Sequence, residues 1–117
     1  MISVDFFLNK DGAVRGFQFE GHAGAGEYGY DIVCSAVSAL SISTVNAVES
    51  LTKARFEEEE ADEEGGFLKV ILSPQCEEDH DAQLLMKALH MGISQMADSY
   101  PENLRIRHIE RQNYGRY

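Results

Sequence analysis

Cysteine is scarce in this chain of 117 residues: there are two, Cys34 and Cys76, far apart and in no close pair. That argues against a disulfide-built scaffold and against the usual zinc spacings. Positive charge is also short, with 10 Lys and Arg against 20 Asp and Glu and a formal net charge of −10. Apart from Arg105 and Arg107 the basic residues are largely scattered, so no basic patch offers itself to a phosphate backbone, and no direct nucleic-acid partner is expected. Long apolar runs are missing too. The most apolar stretch, Ile32 to Val48, is broken by Ser35, Ser38, Ser41, Ser43, Thr44 and Asn46, so no membrane partner is expected. The N-terminus lacks a basic segment followed by an apolar one; Ile2, Val4, Phe6 and Leu8 alternate instead, interrupted by Asp5. No secretory signal is expected, and the chain reads as cytoplasmic.

What is present suits one domain over residues 1–117, since a 44% hydrophobic content can bury a single core. Ile2–Asn9 and Val14–Glu20 alternate as strands around the turn Lys10-Asp11-Gly12, giving a hairpin. A glycine-rich loop follows from Gly21 to Tyr30. Asp31 is then expected to cap a helix in which Val33, Val37, Leu40, Thr44, Val48 and Leu51 recur at helical spacing, down to about Ser50. Its small residues Ser35, Ala36, Ser38, Ala39 and Ser41 permit close packing. Two further strands are expected over Arg55–Asp62 and Gly66–Ser73, and Pro74 is expected to open a second helix that Pro101 stops. A last strand spans Leu104–Glu110. The order is β-β-α-β-β-α-β, an α+β arrangement with two helices on a largely antiparallel or mixed sheet.

The loop Gly24-Ala25-Gly26-Glu27-Tyr28-Gly29 matches G-x-G-x-x-G formally. A dinucleotide site also needs parallel flanking strands, and here the preceding strand belongs to a hairpin, so nucleotide binding is set aside. His22 and Cys34 bracket the loop. If Asp31 is the N-cap, Cys34 is the third helical residue, near free backbone N–H groups and the positive end of the helix dipole, which favour a thiolate. His22 can reach it across the loop and form the imidazolium–thiolate pair that acyl transfer requires. The backbone amides of Cys34 and of the loop are candidates for an oxyanion hole. A lone cysteine in an apolar helix is more often a buried small hydrophobe, and Asp31 serves equally well as a cap or as an orienting partner for His22.

Cys76 and His80 lie four apart, which raises a metal or second nucleophilic site, but Glu77, Glu78 and Asp79 would repel a thiolate there. Cys76 is therefore read as structural. His90 and His108 have no matching partner in the sequence and are given no chemical role. The acidic run Glu57–Glu60 with Asp62, Glu63 and Glu64 suits a basic protein partner, and equally suits a solvated edge strand that discourages pairing.

The segment Gly21-His22-Ala23 and Gly29-Tyr30-Asp31-Ile32-Val33-Cys34-Ser35-Ala36-Val37-Ser38 resembles the signature of the ribosomal-processing cysteine protease family, Prp. The resemblance implies a cysteine endopeptidase in which His22 and Cys34 form a catalytic dyad, with no metal or organic cofactor. It further implies removal of the N-terminal extension of large ribosomal subunit protein twenty-seven, and a homodimer. Gly21, Gly24, Gly26 and Gly29 would belong to a substrate loop, and Ser38 would touch the site beside Asp31. The rival from another class is a non-enzymatic ribosome-assembly or anion-binding module.

Overall fold

The computed structural model describes residues 1–21, 28–61 and 66–110, without the side chains of residues 28–31. Alternation in the first twenty residues becomes the hairpin of β1 (Ile2–Leu8) and β2 (Val14–Glu20). Gly12, at φ +86°, supplies the left-handed residue of its turn. The remaining elements are α1 (Tyr28–Leu51), β3 (Phe56–Glu60), β4 (Phe67–Leu72), α2 (His80–Ser99) and β5 (Leu104–Glu110).

The five strands form one mixed sheet in the order β3-β4-β2-β1-β5. The β1–β5 pair is parallel, whereas β1–β2, β2–β4 and β3–β4 are antiparallel. Ile2, Val4 and Phe6 on β1, Phe17 and Phe19 on β2, and Leu68, Val70 and Leu72 on β4 face one buried core. Val33, Val37 and Val48 of α1 and Met86, Leu89 and Ile93 of α2 fill the same core. The apolar period of two in strands and near 3.6 in helices thus converges on one layer.

Two irregularities position the elements. A register shift between Phe7 and Leu8 bulges the hairpin, so that Val14 joins Phe17 and Phe19 on the buried side. Gln83 of α2 compensates: its Oε1 accepts from the Val14 N–H at 3.0 Å, and its Nε2 donates to the Val14 carbonyl at 2.7 Å. Where the helices meet, a Cβ on Gly92 would lie 2.8 Å from Leu40 Cδ2, so a larger residue there would require the Leu40 side chain to shift.

Some expected boundaries move. The first helix begins at Tyr28 rather than after Asp31, so Asp31 is inside the helix and is not its cap. Pro74 opens only a 3₁₀ turn, Pro74–Cys76; α2 starts at His80, capped by Asp79, whose Oδ2 accepts from the Ala82 N–H at 2.9 Å. The strands expected to reach Asp62 and Ser73 stop at Glu60 and Leu72. By length and composition Ile32–Leu51 is apolar enough to cross a bilayer, but Val33, Val37, Val45 and Val48 are packed into the core.

Candidate active site

Gly21 ends the hairpin at the site's margin. Its N–H donates to the Gly66 carbonyl at 2.9 Å, tying the chain that leaves β2 to the chain that approaches β4. A Cβ there would press on Ile2 Cγ1 at 3.1 Å, so the smallest residue sits where the chain turns out of the sheet. His22, Gly24 and Gly26 follow and lie outside the described residues, as does any contact they make. Gly29 and Asp31 belong to the opening of α1; the Asp31 side chain is also outside the described set.

Cys34 is the seventh residue of α1, in its second turn. Because the helix starts earlier than Asp31 suggests, the Cys34 amide is part of the helical hydrogen-bond ladder and is not a free donor. The dipole contribution, confined to the first turn, is correspondingly weaker at its sulfur. Cys34 is therefore not the third helical residue that a cap at Asp31 would make it. The residue is only 4% exposed and belongs to the core cluster, in company with Val33 and Val37.

One turn further along, half-buried Ser38 borders a cleft of about 70 Å³. The other walls are Phe19, Ile42, Glu60, Phe67 and Leu68. Phe19 faces Leu68 across the β2–β4 ladder, and Glu60 faces Leu68 across β3–β4, so the cleft is a groove between α1 and one end of the sheet. Its lining is apolar and aromatic with one carboxylate at the side, a surface suited to an extended peptide with apolar side chains and a cation near Glu60. The groove was not legible in the sequence, because its walls come from four elements.

Cys76 is elsewhere. Its sulfur accepts from the Arg55 backbone N–H at 3.3 Å, while His80 opens α2 and pairs with its neighbour Asp81 at 3.1 Å. Among the described residues no three His, Cys, Asp or Glu side chains gather as metal ligands. His90 and His108, unconnected in the sequence, are in contact on another part of the molecule: their Nε2 atoms are 2.7 Å apart.

The family described as Cysteine protease Prp matches residues 1–105. The ribosomal processing cysteine protease Prp of Staphylococcus aureus is 37% identical over 106 residues, which span 91% of this chain and 97% of that protein. A crystal structure of SMU.848 from Streptococcus mutans superposes with a TM-score of 0.85 at 38% identity, over 95% of this chain and 96% of that one. The S. aureus protease solved with a covalently linked product peptide gives a TM-score of 0.82 at 33% identity, over 92% of this chain and 99% of that one.

Proposed function

Since this chain belongs to the cysteine protease Prp family, we propose that Cys34 is its nucleophile, His22 its general base and acid, and the N-terminal extension of large ribosomal subunit protein twenty-seven its substrate. The reading rests chiefly on one juxtaposition: Cys34 lies one helical turn from Ser38, which walls a small, largely apolar groove beside the end of the sheet. The product peptide held covalently by the S. aureus relative supports a thiol that bonds to its substrate.

In this mechanism the Cys34 thiol gives its proton to His22 and the thiolate attacks the scissile carbonyl, forming a tetrahedral oxyanion. The imidazolium returns that proton to the departing amine as the C–N bond breaks, leaving a thioester. Water, deprotonated by His22, then attacks the thioester and releases the carboxylate product and the thiol. With Cys34 in the second helical turn, ionisation of the sulfur falls mainly to His22, and oxyanion donors would have to come from elsewhere than the Cys34 amide. Ser38 and Asp31 have supporting places in this reading, Ser38 on the groove wall. Phe19, Phe67 and Leu68 would take apolar side chains of the extension, and Glu60 a basic residue near them. Gly21, Gly24, Gly26 and Gly29 would let the connection before α1 admit the peptide.

The same reading makes the protein a cytoplasmic homodimer. The face of α1 that carries Ile32, Ser35, Ala36 and Ala39 is exposed and uncharged, which suits a self-pairing helix, and sedimentation equilibrium measures the assembly directly. Tyr114 and Tyr117 of the tail lie outside the described residues.

The deciding experiment mixes the protein with the extended precursor and reads the products by intact mass. Cys34→Ala is expected to abolish cleavage with the fold intact, and Cys76→Ser to keep most of it. Cleavage that survives Cys34→Ala ends the assignment. With His22 as the main source of ionisation, His22→Ala is expected to slow alkylation of Cys34 by iodoacetamide near neutral pH; an unchanged rate would remove His22 from the dyad.

A further inference from the structure

The imidazoles of His90 on α2 and His108 on β5 meet on a floor made by Phe6. The buried Phe6 ring stands edge-on to His90, with centroids 4.7 Å apart and planes at 76°, and is stacked with His108 at 6.3 Å and 26°. In the parallel β1–β5 ladder Phe6 is the register partner of His108, so backbone pairing holds that side of the arrangement as well. The result is two Nε2 atoms 2.7 Å apart at the edge of a cleft of about 250 Å³, whose other walls are Leu8, Gly12, Val14 and Lys87.

Two ring nitrogens at this separation cannot both carry a hydrogen. Either one proton is shared between them, or both lone pairs face a common electrophile. We propose that His90 and His108 form a two-imidazole site for a late first-row divalent cation such as nickel(II), copper(II) or zinc(II), with water from the adjoining cleft completing the coordination. Neutral imidazole suits these metals. Metal–nitrogen bonds of about 2.0–2.1 Å at a right angle place the two nitrogens about 2.9 Å apart, and at a tetrahedral angle about 3.4 Å. A tetragonal nickel(II) or copper(II) ion therefore asks for the smallest opening of the pair.

The surroundings set the strength of the site. Burial, and secondarily the neighbouring His108, lower the pKa of His90, which keeps its lone pair available at neutral pH. Lys87 lines the cleft and opposes a cation, whereas Glu110, two residues beyond His108 on the same face of β5, favours one. No third protein ligand completes a cluster among the described residues, so the affinity is that of a two-point site. Occupancy would join α2 to the edge strand β5, far from the thiol chemistry of Cys34.

The test titrates nickel(II) chloride into the full chain bearing Cys34→Ala and Cys76→Ser, which removes both thiols as rival ligands, and combines calorimetry with long-range ¹H–¹⁵N spectra of the imidazoles. One equivalent is expected to bind, broadening the His90 and His108 ring signals first. His108→Gln, at an exposed position, is expected to weaken binding by about tenfold or more, and His90→Gln likewise after its fold is checked by circular dichroism. His80→Gln is expected to change nothing. The proposal is overturned if the ring signals of His22 or His80 broaden first, if His108→Gln binds nickel as tightly as its parent, or if no heat and no broadening appear.

Discussion

The side chain of Asn9, buried just past the end of β1, accepts from the backbone N–H groups of Asp11 and Ala13 at 2.9 Å each. Its Nδ2 donates to Glu77 at 3.1 Å and Glu78 at 3.0 Å, joining the hairpin turn to the segment before α2. Asn9→Ala would leave two amides without their acceptor, at about 1–3 kcal/mol for each buried group that water does not reach. Urea unfolding is expected to show a loss of about 2–3 kcal/mol with cleavage unchanged. His90 gives a pH dependence. Its folded-state pKa is lowered from 6.5, chiefly by burial, so the unfolded chain takes up a proton first as the pH falls through that value. Stability is therefore expected to decline below about pH 6.5 until the folded His90 protonates too. Urea midpoints measured in the presence of a chelator should slope downward with acid, and His90→Gln should flatten that contribution. Single residues were unevenly legible. Cys34 and His22 stand out because they bracket one loop, whereas His90 and His108 are 18 positions apart on unlike elements and meet only through the β1–β5 pairing.

At the scale of elements, the hairpin and the closing strand were readable to within a residue, the first strand from apolar residues at a period of two, which admits one buried face. The helix starts were harder. Asp31 has the chemistry of a cap, but Tyr28, Gly29 and Tyr30 already carry helical backbone, so the local preference of one side chain was overruled by the segment around it. Pro74 is compatible with a helical first turn, but the chain makes only a 3₁₀ turn there and restarts under Asp79, which bonds the Ala82 amide. The antiparallel β2–β4 pair contains a sharper constraint. A Cβ at Gly16 would stand 2.3 Å from the Val70 carbonyl oxygen and 3.1 Å from Ile71 Cα, both backbone atoms that cannot turn aside. Gly16→Ala must push β4 away from β2, and is expected to cost about 2 kcal/mol or more by urea unfolding. Gly12→Ala is the useful contrast, because nothing lies within 4 Å of its Cβ and only its φ of +86° is strained. It is expected to cost about 1 kcal/mol.

For the whole molecule, charge is the property that composition revealed and topology then located. The net charge of −10 includes Glu57, Glu58, Glu59 and Glu60, which form β3, an edge strand of the sheet, and Glu60 borders the groove near Ser38. Those carboxylates blunt the edge against pairing with another chain, and the same field would draw the basic precursor proposed as substrate toward the groove. The steering part is long-ranged, with a Debye length of about 10 Å at 0.1 M salt and about 3 Å at 1 M, whereas apolar contacts within the groove do not weaken as salt rises. Raising salt from about 0.05 to 0.5 M is therefore expected to lower kcat/KM for a full-length basic precursor several-fold. A short uncharged peptide spanning the cleavage site should change by less than about twofold, because it does not feel that field. Replacing Glu57, Glu58 and Glu59 together by Gln, with Glu60 kept because it lines the groove, should depress the precursor's kcat/KM at low salt and flatten its salt dependence, while the short peptide is cut as before. If the two substrates respond to salt alike, the acidic strand serves the edge alone and the precursor is recognised within the groove.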